Sequence, residues 1–385
     1  MHRDETSLET KLIHAGELRP RVGGAVVLPV FQSSTYDYAG QMDYHDVPYI
    51  RLNNSPNHRA LHGKLAAIEG AEAALVTASG MAAISSALLT VLSAGDHLLA
   101  QDGLYGGTHG LLTGDLPDLG LTTTFVNARD PASWERALRP ETKAIYVETL
   151  TNPLLQVANL ESVVAFASTN GLVSMIDNTF ASPVCFRPAE LGFDIVLESC
   201  TKFMNGHGDI AAGAVVGRAD LIDRIKRRVD HLGGTLDPHA CFLLHRGLKT
   251  LSVRVRQQSD SALRVATFLE SHDAVETVSY PGLASHAQHA RAAALFDTFG
   301  GMVAFELRGG AAAAERMFSR AELPIVAVSL GGTETLWIRP AVAIHQNLSP
   351  EERARSGIGD GLVRMSVGLE AADDLIADLG RALGP

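Results

Sequence analysis

The chain has 385 residues, of which 46% are hydrophobic and 19% are charged, and its formal net charge at pH 7 is −11. This length and composition exclude a disordered or fibrous chain and predict a compact enzyme of roughly two or three domains. The acidic balance excludes nucleic acid as a partner, because the longest basic run, Arg224–Arg228, is typical of a solvated helix face.

The cysteines and the apolar stretches indicate the compartment. Cys185, Cys200 and Cys241 are far apart in the sequence, which is typical of a reducing compartment rather than of a disulfide framework. Residues 1–11 are polar and lack the apolar core of a signal peptide. Residues 75–95 contain no charge, but their Gly, Ser and Thr content and helical spacing predict a buried helix rather than a membrane span. We therefore expect a cytoplasmic protein with no membrane partner.

Strands and helices are predicted to alternate along the first two thirds of the chain. Residues 1–50 are irregular, with Gly, Pro and Tyr, and would need another subunit to lie against. Asp130-Pro131 begins one helix, and Asn159 caps another that ends at Gly171. Strand, helix and strand at this spacing predict βαβ units and an α/β fold with a mainly parallel sheet. The strands are predicted at Asp96–Gln101, Lys143–Glu148, Leu172–Ile176, Phe193–Leu197 and Ala211–Val216.

Beyond about residue 250 the pattern changes to long helical stretches and separate strands. Met302–Leu307 is a predicted strand, Gly-rich turns lie at 309–310 and 331–332, and Glu370–Leu383 predicts an amphipathic helix. This change predicts a smaller α+β domain. We therefore divide the chain into an N-terminal arm that contacts a neighbouring subunit, a large domain and a small C-terminal domain, at residues 1–52, 53–250 and 251–385.

Polar residues follow two neighbouring strands of the predicted sheet. Asp177 comes directly after one strand, and Lys202 follows the next one. Open α/β sheets build their sites at these strand ends. An amine and an acid placed there suit pyridoxal 5′-phosphate (PLP), because the amine forms a Schiff base and the acid keeps the pyridine nitrogen protonated. A lone lysine is more often half of a surface ion pair, so this interpretation depends on further partners.

Donors for a phosphate are predicted at two places. Ser79-Gly80-Met81 precedes the buried helix, whose free N–H groups and positive end favour an anion. Ser199 and Thr201 alternate along an extended segment, so their hydroxyls can point the same way. Either signal is weak alone, but together with Asp177 and Lys202 they favour PLP.

A series of short stretches extends these motifs over nearly the whole chain. They are Tyr49-Ile50-Arg51, Ala78-Ser79-Gly80-Met81, Leu104-Tyr105-Gly106-Gly107-Thr108, Thr151-Asn152-Pro153, Asp177-Asn178-Thr179-Phe180, Ser199-Cys200-Thr201-Lys202, Arg246-Gly247-Leu248-Lys249-Thr250, Ser329-Leu330-Gly331-Gly332 and Arg364-Met365-Ser366-Val367-Gly368-Leu369-Glu370. In this order the sequence resembles the Cys/Met-metabolism PLP-dependent enzymes, typified by cystathionine γ-synthase, cystathionine γ-lyase and methionine γ-lyase. The resemblance implies the PLP fold-type I (aspartate aminotransferase-like) architecture.

The resemblance also implies roles around the cofactor ring. Lys202 would hold PLP and move protons, and Asp177 would pair with the ring nitrogen. Tyr105 would stack on the ring and can take a proton from the substrate amine. Asn152 would bond the ring's phenolic oxygen and help to bind substrate. The catalytic residues implied are therefore Lys202, Tyr105 and Asp177.

Further roles concern the phosphate, the substrate and the assembly. Arg364 would bind the substrate α-carboxylate with two parallel bonds, assisted by Ser329. Tyr49 and Arg51 would reach the phosphate of a neighbouring subunit, which implies a homodimer at least, and relatives are usually homotetramers. The residues implied to hold the phosphate within one chain are Ser79, Gly80, Met81, Ser199 and Thr201.

The chain departs from the family pattern at positions that concern substrate choice. Gly110 stands where cystathionine-handling relatives place an arginine that reaches the distal end of the substrate. Val328, acidic in typical cystathionine γ-lyases, is apolar as in methionine γ-lyase. Gly107 replaces the reactive cysteine of methionine γ-lyase, and Cys200 replaces a usual alanine, a neutral packing change. The distal carboxylate contact to cystathionine is therefore in doubt.

We expect a PLP-dependent carbon–sulfur lyase or γ-replacement transferase that acts on an amino acid. The preferred activity is cystathionine γ-lyase-like elimination, and the alternatives are cystathionine γ-synthase, O-acylhomoserine sulfhydrylase and methionine γ-lyase. An aminotransferase and a non-catalytic PLP-binding regulatory protein are rivals from other classes. Intact Tyr105, Lys202 and Arg364 argue against the regulatory protein. His286 and His289 have metal-ligand spacing but no further ligand nearby, so we expect a surface loop and no metal there.

Overall fold

The computed structural model describes residues 6–38, 40, 43–343, 351, 353 and 357–384. The strands in these residues form two sheets. They are β1 (Ala73–Thr77), β2 (His97–Gln101), β3 (Thr122–Val126), β4 (Thr142–Glu148), β5 (Val173–Asp177), β6 (Ile195–Glu198), β7 (Gly213–Gly217), β8 (Val275–Ser279), β9 (Met302–Leu307), β10 (Ile325–Val326), β11 (Leu336–Ile338) and β12 (Leu362–Ser366).

Helices surround both sheets. They are α1 (Leu8–His14), α2 (Pro56–Glu69), α3 (Gly80–Val91), α4 (Gly106–Gly110), α5 (Leu116–Asp118), α6 (Pro131–Ala137), α7 (Leu160–Asn170), α8 (Ser182–Cys185), α9 (Pro188–Leu191), α10 (Ala219–Leu232), α11 (Pro238–Leu248), α12 (Leu251–Glu270), α13 (His289–Leu295), α14 (Gly310–Arg320), α15 (Pro340–Ala343) and α16 (Ala372–Leu383). Short 3₁₀ turns lie at Val22–Gly24, Tyr44–Asp46 and Ile50–Leu52, and one π turn lies at Leu111–Asp115.

The first sheet is seven-stranded in the order β1-β7-β6-β5-β4-β2-β3. All neighbours in it are parallel except β7, which is antiparallel to both β1 and β6. Its inner strands are mostly buried, because apolar clusters cover both faces of the sheet. The α/β class and the mainly parallel sheet predicted from sequence are confirmed.

Local signals account for the helices that position this sheet. The uncharged stretch at 75–95 contains β1 and the buried helix α3, as predicted, and no helix in the described ranges is long and apolar enough to cross a membrane. Asp130 caps α6 by accepting the N–H of Ala132, and Gly171 ends α7 with a left-handed φ of 64°. Asn159 occupies the N-cap position of α7, as predicted, but its side chain makes no cap hydrogen bond.

The N-terminal segment departs from the irregular conformation predicted for residues 1–50, because it contains α1. Leu12 is buried there, and its carbonyl accepts a bond from the Nζ of buried Lys64 at 2.6 Å. Gly16 has φ 71°, and a Cβ on it would lie 1.9 Å from the carbonyl oxygen of Ala60. Tertiary contacts with α2 therefore stabilise a helix too short to form alone.

The second sheet is five-stranded in the order β10-β11-β12-β9-β8. It is antiparallel except for the β10–β11 pair. Helices α12, α14 and α16 cover it, and the core between them contains Phe305, Trp337 and Leu375. Met302–Leu307 forms the strand predicted for it, and the predicted C-terminal helix begins two residues late, at Ala372. An α+β arrangement after residue 250 is therefore present.

Candidate active site

A cavity of about 470 Å³ opens where the carboxyl ends of β4, β5 and β6 face the second sheet. Every residue predicted for the cofactor or substrate lines it, except Tyr49 and Arg51. The lining is Ser79, Gly80, Met81, Ile84, Tyr105, Glu148, Leu150, Asn152, Asp177, Thr179, Phe180, Ser199, Thr201, Lys202, Val328, Ser329, Leu330 and Arg364.

Lys202 lies in the turn after β6. Its backbone N–H donates to the carbonyl of Ser199 at 3.0 Å, and its Nζ donates to the Oγ of Ser329 at 2.8 Å. Burial, and then the charge of Arg364, lower the pKa of Lys202 to about 8. A lowered pKa leaves part of the amine unprotonated near neutral pH, as a nucleophile or a base requires.

Asp177 ends β5 at the same edge of the sheet. Its Oδ1 accepts the backbone N–H of Thr179 at 2.9 Å. Burial raises the pKa of Asp177 above its ordinary value, and the hydrogen bonds from Thr179 offset part of this increase. The position suits an acid that faces a ring nitrogen inside the cavity.

Glu148 is a second acid in the cavity that sequence reasoning missed. It ends β4 and pairs in register with Asp177 on β5, and its Oε1 accepts the backbone N–H of Tyr105 at 2.7 Å. Burial, and then the charge of Asp177, raise the pKa of Glu148 well above its ordinary value. Its position at a strand end was the available signal, because the same reasoning selected Asp177.

An anion site lies at the N-terminus of α3. Ser79 binds two N–H groups of the first turn: its Oγ accepts the N–H of Ala82 at 3.1 Å, and its carbonyl accepts the N–H of Ala83 at 3.1 Å. The amides of Gly80 and Met81 remain for a ligand. A Cβ on Gly80 would lie 2.8 Å from the Cβ of Ser199, so only glycine leaves this space open. The space and its donors fit the phosphate of PLP.

Thr201, predicted to hold the phosphate, lines the cavity, and its hydroxyl is bonded to the backbone of Ala212. Its Oγ1 accepts the N–H of Ala212 at 3.0 Å and lies 3.2 Å from the Ala212 carbonyl. The Ser199 backbone N–H is held by the Oγ1 of Thr179 at 2.8 Å. These bonds fix the strand end beside Lys202.

Tyr105 precedes α4 and is 44% exposed, with its ring on the cavity wall. An exposed aromatic face at this point suits stacking on a cofactor ring. A Cβ at Gly107 would lie 2.5 Å from the Cε1 of Tyr105 and 3.1 Å from the Sδ of Met81. A cysteine at this position, as in methionine γ-lyase, would therefore require the ring to shift.

Arg364 on β12 faces the cavity from the second sheet. Its Nη1 donates to the Oδ1 of Asn152 at 3.1 Å, and its Nη2 donates to the carbonyl of Ser329 at 3.2 Å. Its guanidinium lies 6.0 Å from the ring centroid of Phe180. Burial lowers the pKa of Arg364 to about 10, so the group stays charged at neutral pH and suits a carboxylate.

Tyr49 and Arg51 lie away from the cavity of their own chain. Arg51 donates to the carbonyl of Asp230 at 2.5 Å and to the hydroxyl of Tyr44 at 2.6 Å. Its guanidinium also lies 5.6 Å from the ring centroid of Tyr49. One chain alone therefore does not bring this pair to Lys202.

Two positions that depart from the family pattern differ in their relation to the cavity. Val328 lines the cavity and is 63% exposed. Gly110 ends α4, and a Cβ on it would meet no atom within 4 Å. His109 stacks on Phe125 with ring centroids 5.2 Å apart and does not line the cavity.

The histidines and the cysteine singled out from the sequence contact other protein groups. Across the described ranges, no group of three or more His, Cys, Asp or Glu side chains could hold a metal ion. His286 lies in a turn, but the loop prediction is wrong for His289, which begins α13 and bonds the carbonyl of Pro281 at 2.8 Å. Cys200 is buried with its Sγ 3.5 Å from the Sδ of Met204.

The fold and the cavity together define a class of protein. An amine, an acid and a phosphate cradle at one edge of this sheet are the features of a PLP-dependent enzyme of fold type I. A family profile described as Cys/Met metabolism PLP-dependent enzyme matches residues 9–384.

Full-length relatives support the profile. An L-methionine gamma-lyase of Treponema denticola is 40% identical, with 99% of this chain and 97% of the relative covered. A cystathionine gamma-lyase of Bacillus subtilis is 39% identical, with 97% and 98% covered. A crystal structure of cystathionine gamma-lyase from Lactobacillus plantarum complexed with L-serine is 37% identical, with 98% of both chains covered and a TM-score of 0.92.

The chain belongs to the Cys/Met metabolism PLP-dependent enzyme family. The protein is a PLP-dependent carbon–sulfur lyase of sulfur amino-acid metabolism. The family, the fold type and the cofactor predicted from sequence are confirmed.

Proposed function

We propose that the protein is a γ-lyase that prefers sulfur amino acids with an uncharged distal end, such as methionine or homocysteine, to cystathionine. One observation carries this proposal: in the part of the chain that the structure describes, the only cations lining the cavity are Lys202 and Arg364. Both have roles at the α-carbon, so neither is free for a distal carboxylate. The remaining walls are apolar at Ile84, Leu150, Phe180, Val328 and Leu330.

The proposed chemistry assigns each step to a side chain. When bound, PLP would supply an electron sink for the negative charge that develops at the substrate's α-carbon. Asp177 holds the proton on the ring nitrogen. Arg364 orients the substrate by two parallel bonds to its α-carboxylate. Lys202 would hold the cofactor through its Nζ, and the same Nζ would take the proton from the substrate's Cα.

The lowered pKa of Lys202 suits this role. A general base works best when its pKa lies near the working pH, and burial brings that of Lys202 to about 8. Ser329, whose Oγ accepts from Nζ at 2.8 Å, keeps the amine directed into the cavity. Once it has passed on the Cα proton, the same amine can take a proton from Cβ, and the electron pair left on Cβ expels the thiolate from Cγ. The amine then returns this proton to the leaving sulfur.

The missing cation determines the expected substrate preference. A distal carboxylate entering the cavity would give up its hydration without gaining a charge-assisted contact. That contact is worth about 1.5–3 kcal/mol, or about ten- to hundredfold in binding. Methionine bears no such loss. Cystathionine γ-lyase-like elimination, preferred on sequence alone, is the alternative, and the similarity to the Lactobacillus plantarum enzyme favours it.

We further propose that the protein works as a homodimer or homotetramer in the cytoplasm, with Tyr49 and Arg51 serving the phosphate of the neighbouring subunit. Arg51 lies outside its own cavity, and Val26 and Val27 are 73% and 57% exposed in the same segment, which supports a contact there. The arm at 1–52 and the two domains at 53–250 and 251–385 belong to this proposal.

The test is kcat/KM for L-cystathionine and for L-methionine, scored by release of thiol, ammonia and keto acid. Wild type should prefer methionine, and Gly110→Arg should shift the ratio towards cystathionine by about ten- to hundredfold. Gly114→Arg is the matched control, because Gly114 is exposed on the next turn and an added Cβ also meets nothing within 4 Å. A wild type with a higher kcat/KM for cystathionine than for methionine would refute the proposal.

A further inference from the structure

We propose that Glu148 is a positioning residue that holds Tyr105 over the cofactor site, and that it acts as a neutral carboxylic acid. This role of Glu148 depends on one part of the proposed function, which is that Tyr105 stacks on PLP. The identity of the sulfur substrate does not enter it.

The geometry ties Tyr105 to the sheet through Glu148. Glu148 is the last residue of β4 and is 6% exposed. Its own N–H is held by the Oε1 of Gln101 on β2 at 3.2 Å, and its Oε1 receives the N–H of Tyr105 at 2.7 Å. The Tyr105 carbonyl accepts the N–H of His109 within α4. The bond between Tyr105 and the sheet is therefore made by its N–H, through Glu148.

This bond matters because the ring of Tyr105 has little packing of its own. The side chain is 44% exposed, and the ring projects from a backbone position where α4 begins. A small movement of that backbone would displace the ring relative to Lys202 and Asp177. An acceptor buried in the sheet edge is well placed to prevent this movement.

The neighbouring charges determine which carboxyl keeps a proton. Glu148 pairs in register with Asp177, and two adjacent buried carboxyls do not both ionise readily. Each carboxyl accepts one backbone N–H, Glu148 from Tyr105 and Asp177 from Thr179. Asp177 has further hydrogen bonds from the side chains of Thr179 and Tyr146, which favour its charged form over that of Glu148. The cations of the cavity bond elsewhere, Lys202 to Ser329 and Arg364 to Asn152.

The remaining groups around Glu148 add no positive charge. Gln101 on β2 is neutral, and burial followed by the charge of Asp177 raises the pKa of the Tyr146 phenol on β4. Burial and Asp177 likewise raise the pKa of Glu148. A neutral Glu148 leaves Asp177 as the anion that faces the ring nitrogen.

The first test asks whether Tyr105 needs the side-chain oxygen of Glu148 as a hydrogen-bond acceptor or needs its ionisable carboxyl group. Glu148→Gln keeps a side-chain oxygen and the size, whereas Glu148→Leu removes the acceptor. Apoprotein is titrated with PLP by visible absorbance. Glu148→Gln should bind PLP within about threefold of wild type, and Glu148→Leu about tenfold or more weakly, with kcat reduced and the substrate KM little changed.

A double-mutant cycle shows whether the effect passes through Tyr105. Tyr105→Ala removes the ring but keeps the backbone N–H. In that background, Glu148→Leu should weaken PLP binding by less than about threefold further. An undiminished effect would contradict a positioning role, and so would a Glu148→Leu variant that binds PLP like wild type.

The second test needs neither cofactor nor substrate, and it stands even if the leucine variant fails to fold. Native Glu148 keeps a proton that the unfolded chain releases above its ordinary pKa of 4.5, so this group makes wild type less stable as pH rises. The Tm of Glu148→Gln apoprotein minus that of wild-type apoprotein should therefore increase as the pH is raised from about 5 to about 8. A constant Tm difference, or a glutamine variant that binds PLP as poorly as leucine, would overturn the proposal. Either result would leave the substrate assignment untouched.

Discussion

Replacing Arg364 by lysine tests how the protein binds the α-carboxylate of its substrate. Arg364 is 5% exposed, and its two terminal nitrogens hold Asn152 at 3.1 Å and the carbonyl of Ser329 at 3.2 Å. A lysine keeps the charge but loses the planar fork that makes two parallel bonds.

The magnitude follows from the bonds that lysine cannot make. One charge-assisted hydrogen bond to the carboxylate is worth about 1.5–3 kcal/mol, so KM should rise about ten- to hundredfold. Asn152 and Ser329 also lose a donor, and each unpaired buried acceptor costs about 1–3 kcal/mol of folding free energy. Arg364→Lys should therefore be both a weaker binder and less stable.

Arg339→Lys is the matched control for this experiment. Arg339 is 9% exposed and follows β11, whose Ile338 pairs with Arg364. It bonds Glu315 at 2.8 Å and the carbonyl of Asp360 at 3.1 Å, outside the cavity. Its replacement should lower Tm without changing KM. If Arg364→Lys keeps KM within about threefold of wild type, the substrate carboxylate binds elsewhere.

Two further predictions concern the cofactor. The rate at which PLP attaches to apoprotein should rise about tenfold per pH unit up to about pH 8 and then level off, because the unprotonated amine attacks and burial lowers the pKa of Lys202 to about 8 from 10.5. Stopped-flow absorbance measures this rate, and a flat profile between pH 6 and pH 8 would contradict it. Arg51→Ala should weaken PLP retention, and mixing it with inactive Lys202→Ala protein should restore part of the activity, because some shared sites then have both residues intact. A native protein that sediments as a fully active monomer would exclude this sharing.

Local patterns predicted the elements well because their causes are local. A short, mostly apolar run specified the strand Met302–Leu307 to the residue, and a cap followed by proline specified the start of α6. Where the patterns failed, a distant partner decided the outcome. The helix α1, for example, forms because α2 packs against it.

The site required information that spacing does not contain. Lys202 and Ser329 are 127 residues apart, and Arg364 and Asn152 are 212 residues apart, yet each pair shares a hydrogen bond. Arg364 was identified as a site residue by the resemblance to a known family and not by periodicity. Glu148 was missed because a carboxylate closing an apolar run indicates only the end of a strand, and its burial depends on β5 and α4.

The most direct test of the account is to identify the lysine that carries PLP. Borohydride reduction of the holoprotein, followed by peptide mapping, should place the pyridoxyl label on Lys202, and Lys202→Ala protein should lose the label and nearly all turnover. Lys64 is the internal comparison, because burial lowers its pKa to about 8 as well, but its Nζ bonds the carbonyl of Leu12 away from the cavity. Label on Lys202 alone is the predicted result. Label on Lys64 or any other lysine would contradict the assignment of the active site.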